Sequence, residues 1–144
     1  MHKINRSALV PYSAEQMYAL VEDVEAYPSF LPWCSGVEVH SRENNVVEAS
    51  LELHRGKLSK WFRTRNTMTP NRRMELALVG GTFRHLSGGW TFKQLGDSGS
   101  KVSLVLDFEF DSRMLELMIG RYFEDICNHL VDAFTRRANE VYGV

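Results

Sequence analysis

The side chains with the strongest chemistry in this chain are scattered, and their spacing converges on no catalytic set. Gly96-Asp97-Ser98-Gly99 has the residue types of a serine nucleophile segment, but turn formers placed between two strand-like runs read as a hairpin turn. Asp107 and Glu109 fall on one strand face, a spacing that brings carboxylates together for acid–base work. The alternating apolar residues claim the other face for the core, which puts this pair in solvent. His54, His85 and His129 lack a carboxylate or nucleophile at a spacing that would orient them. Cys34 and Cys127 stand far apart, with no Cys-x-x-Cys pair and no histidine at ligand spacing, so neither zinc nor a disulfide framework is expected. The expectation is a non-enzymatic protein without metal or prosthetic group.

What does cluster is binding chemistry. Arg55, Lys57, Lys60, Arg63, Arg65, Arg72 and Arg73, seven of the seventeen basic residues, fall between Leu53 and Met74 with no acid among them. With Leu58, Phe62 and Met68 facing inward, Trp61, Arg63 and Arg65 project outward, an aromatic interleaved with guanidinium groups that suits phosphates and exposed bases. Arg55, Lys57, Lys60, Trp61, Arg63 and Arg65 are thus the candidate residues for RNA or an anionic membrane surface. The opposing reading is a solvated hairpin, in which Glu48 and Glu52 pair across the turn with Arg65 and Trp61 and neutralise part of the patch. A net charge of −1 gives no general nucleic-acid signal, and DNA is not an expected partner.

A second cluster is apolar. Tyr27, Phe30, Leu31 and Trp33 lie on a segment punctuated by Pro28 and Pro32, where regular helical periodicity cannot bury them, and they suit the lid of a pocket. Phe62, Phe83, Leu86, Trp90, Phe92, Phe108, Tyr122, Phe123 and Ile126 would supply walls, since binding cavities are mostly apolar. The plain alternative is that all of them fill the core. Thr64 and Asn66 share the parity of Phe62 and Met68. They would donate hydrogen bonds to carbonyl oxygens of a ligand, or else bond to each other, to backbone or to water.

These residues must be positioned by a strand-rich body and one long helix. Arg113 to Gly143 reads as a single amphipathic helix of about 45 Å, with Leu115, Ile119, Tyr122, Ile126, Leu130 and Phe134 as its apolar stripe. Lys3–Val10 alternates as a first strand, and Ser13 with Gln16 forms a capping box for a helix carrying Met17, Leu20, Val21 and Val24. Further strands are expected at Val37–Ser41, Val46–His54, Leu58–Met68, Arg73–Val79, Phe83–Phe92 and Lys101–Phe110, separated by turn residues. In the last of them Val102, Leu104, Leu106, Phe108 and Phe110 share the face that must pack on the final helix. Gly88-Gly89 suggests a bulge, which leaves open whether Phe83 or Leu86 points inward. The 144 residues make one domain, 1–144, in the α+β class: a curved antiparallel sheet of about seven strands around a long C-terminal helix, with two short helices after the first strand. The start Met1-His2-Lys3-Ile4-Asn5-Arg6 is not a signal peptide, and no apolar run approaches a membrane span of ~20 residues. A cytoplasmic or peripheral membrane protein is expected.

That order of elements describes a helix-grip fold, and the chain resembles the START-like superfamily of polyketide cyclase and lipid transport domains. More narrowly, the run from Asp23 to Cys34 (DVEAYPSFLPWC) is similar to the signature of the coenzyme Q-binding protein and ribosome association toxin (RatA) family. Three further segments match that family in order: Gly81 to Phe92, Asp107 to Phe110 and Ala133 to Gly143. The stretch Leu58 to Asn66 looks closer to the bacterial RatA branch than to the mitochondrial one. The resemblance implies a cavity between sheet and C-terminal helix for a lipophilic ligand, ubiquinone or another polyprenyl compound, in support of respiratory quinone function. The RatA branch implies instead binding to the large ribosomal subunit and blocking of subunit association. An enzymatic cyclase or hydrolase would need an acid, a base and a nucleophile that do not converge here.

Overall fold

The structure, a computed structural model, describes residues 1–143. Strand β1 (His2–Val10) leads through Pro11 into α1 (Ala14–Glu22) and a 3-10 helical segment (Val24–Ser29). Six strands follow: β2 (Cys34–Glu43), β3 (Val46–Arg55), β4 (Leu58–Thr69), β5 (Arg73–Gly80), β6 (Phe83–Leu95) and β7 (Gly99–Phe110). The chain ends in a helical run made of α2 (Arg113–Leu115), a π-helical turn (Glu116–Gly120), α3 (Arg121–Asn128) and α4 (Leu130–Tyr142). All strands pair antiparallel in one sheet of order β1-β7-β6-β5-β4-β3-β2, so the first strand closes against the last. This is a helix-grip fold.

Local sequence explains most of the elements. Ser13 Oγ accepts from the Gln16 backbone N–H, and Gln16 Oε1 accepts from that of Ser13, so the capping box forms and starts α1. Asn44 and Asn45 both take positive φ at the tip of the β2–β3 hairpin, the conformation a two-residue turn between twisted strands requires. In β7 the even-numbered residues from Val102 to Phe110 are all buried, while Asp107 and Glu109 are half-buried on the outer face near Lys3 and Arg84. Strand parity therefore sets which chemistry meets the core and which meets solvent.

Two expectations need correcting. The β6 irregularity lies between Phe83 and His85, not at Gly88-Gly89, whose partners run in unbroken register. One residue is skipped there, and for that reason both Phe83 and Leu86 point into the core. The C-terminal helix is also not continuous. Its backbone widens into the π turn and breaks again at His129, whose φ of −113° and ψ of 4° leave the helical region. The buried stripe is Ile119, Phe123, Cys127, Val131, Phe134 and Ala138, in place of the one through Tyr122, Ile126 and Leu130. A spacing of four drifts by about 40° per step on an ideal helix, and the three-residue step from Val131 to Phe134 reverses that drift and keeps Phe134 in the stripe. The π turn has a tertiary cause: Glu116 folds back against Gly120, where a Cβ would collide with its carboxylate, and is held by His2 on β1.

Candidate functional site

The concave face of the sheet and the helical run enclose an apolar cavity of about 80 Å³. Tyr27, Leu31 and Trp33 close one side, and Phe62, Leu86 and Trp90 rise from the strands. Phe123, Cys127, Leu130 and Phe134 cover the space from the helices. The 3-10 segment supplies the lid because Pro28 prevents a regular helix, and its chain end turns back at Phe30. Tyr27 is fixed by its hydroxyl, which donates to the Val21 carbonyl, and by edge contact with Phe134. Burial pushes its phenol pKa above the ordinary value.

Of the proposed pocket residues, Tyr27, Leu31, Trp33, Phe62, Thr64, Asn66, Leu86, Trp90 and Phe123 line this space, and six do not, among them Phe92, which packs on Trp90 and Tyr18. Phe83 and Phe108 are buried beside it in an aromatic cluster with Phe110 and Phe123, with Phe83 stacked on Phe110 at 4.7 Å. Phe30 lies outside, packed on Phe134 and covered by the Arg137 guanidinium at 4.9 Å. Ile126 and Tyr122 flank the buried stripe. Val24, Leu104, Leu106, Leu130 and Phe134, expected only as core-facing positions, also line the cavity, as do Ala49, Leu51, Met74, Leu76 and Cys127. Their signal was cross-strand pairing: Ala49 and Leu78 flank Thr64, and Leu76 faces Asn66.

Thr64 and Asn66 are the polar part of this wall. Both are more than nine-tenths buried, and the Thr64 hydroxyl donates to Asn66 Oδ1 at 2.8 Å. This leaves the Asn66 amide N–H groups as donors and the Thr64 oxygen as an acceptor in an otherwise apolar space. Burial raises the Cys34 thiol to about 11 and pushes that of Cys127 up further, so neither is a ready nucleophile at neutral pH. Among the described residues no group of three or more His, Cys, Asp or Glu side chains could hold a metal ion.

The basic hairpin divides into two halves with different contacts. On the outer face Glu48 takes Arg63 at 3.0 Å and Arg65 at 3.2 Å, and the hydrogen bonds from Arg65 and Arg63 hold its carboxyl below the usual range. Trp61, 45% exposed, lies beside them over Gly36, where an added Cβ would come within 3.1 Å of the indole. Arg55 does something else. Its guanidinium covers the Tyr122 ring at 4.8 Å and donates to the Met118 carbonyl, while Tyr122 donates to the His54 carbonyl. The pair assigned from sequence to two different sites forms one latch between the β3–β4 hairpin and the helical run. Lys57 and Lys60 make no ion pair among the described residues.

Comparison with known proteins agrees with this geometry. Residues 10–135 match the family model described as polyketide cyclase / dehydrase and lipid transport. The chain is 46% identical over 143 residues, 99% of each chain, to the ribosome association toxin RatA of Vibrio cholerae. It is 30% identical to the coenzyme Q-binding protein COQ10 homolog B of Xenopus laevis over 96% of this chain and 59% of that one. A START superfamily protein from Mycobacterium smegmatis superposes with a TM-score of 0.82 at 22% identity, covering 98% of this chain and 99% of that one. A helix-grip body around an apolar cavity, matched over nearly its whole length, places the chain in the START-like polyketide cyclase and lipid transport family, in the branch of RatA and the coenzyme Q-binding proteins.

Proposed function

We propose that this chain is a non-enzymatic RatA-like factor that binds the large ribosomal subunit and interferes with subunit association. The observation that carries the reading is the 46% identity, end to end, with a protein named for ribosome association, against 30% with a coenzyme Q-binding protein. The contact surface is the outer face of the β3–β4 hairpin. There Trp61 offers a stacking plane, and one carboxylate shared by Arg63 and Arg65 fixes two guanidinium groups without cancelling both charges. Lys57, exposed in the turn, extends the positive charge toward the tip, while Lys60 shares the parity of Phe62 and lies on the other side of the strand.

Sucrose-gradient cosedimentation with isolated large subunits tests the reading. The wild-type protein should cosediment at low salt and be released steeply as salt rises, because phosphate contacts release counterions. Arg63→Glu with Arg65→Glu should weaken the association at least about tenfold, and Glu48→Gln should strengthen it by freeing both guanidinium groups. Cosedimentation that ignores all three substitutions would move the interface elsewhere, and no cosedimentation by wild type would end the reading.

The Thr64–Asn66 pair favours a second reading, in which the cavity takes a lipophilic carbonyl compound such as ubiquinone or another polyprenyl lipid. The enclosed 80 Å³ is small against the roughly 300 to 1,000 Å³ of pockets for drug-sized ligands. Such a ligand must therefore widen the grip, and Leu51, Leu76 and Leu130, half-buried in the wall, mark where it gives. Mass spectrometry of a solvent extract from freshly purified protein should show a prenylated quinone in wild type and less of it in Asn66→Leu. An extract free of prenyl lipid would sink this reading without touching the ribosomal one.

A further inference from the structure

The wall of the cavity is rich in hydrogen-bond donors. Among the described residues no Lys, Arg, His, Asp or Glu lines it, so its polar groups are neutral: the hydroxyls of Thr64 and Tyr27, the Asn66 amide, the Cys127 thiol and the indoles of Trp33 and Trp90. Two of these spend their hydrogens on the protein. Thr64 donates to Asn66 Oδ1 and Tyr27 to the Val21 carbonyl, each through its single O–H. The Asn66 amide hydrogens and the Trp33 and Trp90 indole N–H groups find no acceptor among the described residues. There only Ser100 Oγ is both fully enclosed and unpartnered. The three nitrogens therefore reach open space and are not sealed in the packing. The acceptors left over are lone pairs of Thr64 Oγ1 and Asn66 Oδ1, which sit 2.8 Å apart at one point of the wall, the Tyr27 oxygen being held against Val21. A buried N–H without an acceptor is less tolerated than an oxygen with a lone pair unused.

We propose that this wall selects the redox state of its ligand, taking a quinone in preference to the corresponding quinol. The selection rests on the lipid reading of the cavity and names the form of the ligand that the cavity takes. Both ring oxygens of a quinone only accept, which matches unpartnered amide and indole N–H groups. A quinol brings two O–H donors on opposite sides of its ring. The oxygens of Thr64 and Asn66 can accept from one of them. The other meets apolar side chains or further donors, and a buried hydroxyl without an acceptor is costly. A carboxylate head finds no counter-charge in the wall and is disfavoured for the same reason. Thr64 acts here as a positioning residue: by occupying Asn66 Oδ1, it holds the amide with its N–H side free.

Isothermal titration calorimetry of the full chain under nitrogen, with decylubiquinone and its chemically reduced quinol, tests the selection. Wild type should bind the quinone at least about tenfold more tightly, the effect of one buried hydroxyl left without a partner. Thr64→Val keeps the side-chain shape and removes the hydroxyl, which frees Asn66 Oδ1 to accept from the ligand. The ratio should then fall below about threefold, chiefly through tighter quinol binding. Thr64→Ser returns the donor and should restore the wild-type ratio. A merely structural role for Thr64 would weaken both forms alike, and the melting temperatures of the variants report any loss of fold. Equal affinities in wild type, or an unchanged ratio in Thr64→Val, overturn the proposal and leave the lipid reading standing. Failure of wild type to bind either form overturns both.

Discussion

Replacing Phe123 with Ala should lower the unfolding free energy by about 3–5 kcal/mol, the range for deleting a buried aromatic ring. Phe123 is 4% exposed and meets five rings at once: Trp33, Phe62, Phe83, Phe108 and Phe110, with centroids 5.0 to 6.4 Å away. Most are edge-on, the arrangement in which ring quadrupoles attract. The residue therefore joins the lid, β4, β6 and β7 to α3, and its loss removes contacts that no neighbour can replace by a rotamer change. With a domain stability of roughly 5–15 kcal/mol, the substitution removes a large share. In urea the midpoint should fall by about 2 M for a slope near 2 kcal/mol/M. Phe123→Leu should cost less than about half as much. A loss below about 1 kcal/mol in Phe123→Ala would mean that α3 is not clamped to the sheet.

Gly88→Ala should be worse tolerated than any glycine substitution in a turn. Gly88 has φ of +133°, and a Cβ there would sit 2.0 Å from the Val105 carbonyl oxygen and 2.9 Å from the Leu106 Cα. Both are backbone atoms of the adjacent β7, so no side chain can swing aside, and β6 and β7 must separate. A destabilisation above about 3 kcal/mol is expected, combining backbone strain with the broken ladder. Gly56 is the control. Its φ is +58°, but open space surrounds the position, so Gly56→Ala should cost only about 1–2 kcal/mol. Equal melting temperatures for the two variants would show that the β6–β7 approach is looser than its geometry.

The contrast between β7 and the C-terminal helix explains what was legible in the sequence. In β7 the period of two is local and uninterrupted, and every residue from Val102 to Phe110 faces the way its parity requires. The helix stripe depended on an unbroken period of 3.6, and the π turn inserts its extra residue through a tertiary event, the capture of Glu116 by His2 more than a hundred positions away. Windowed periodicity has no access to that contact. The same limit governed the sites. Thr64 and Asn66 were legible because β4 alternates cleanly, whereas Ala49, Leu51 and Leu76 became wall residues only through the registers of β3 and β5. Arg55 was misplaced because charge density along the chain does not report which cations fold onto a ring. Glu48 pairing with Arg65, by contrast, followed directly from counting across the hairpin turn.

The volume under the lid can be expressed as packing energy. At roughly 24 cal/mol per Å³ of void, 80 Å³ corresponds to about 2 kcal/mol of packing that the folded chain forgoes. It acts as a reserve of affinity. A molecule that entered would regain those contacts as binding free energy and raise the melting temperature in proportion to its occupancy. A small apolar group that filled this volume would thus stabilise the folded protein by up to about 2 kcal/mol.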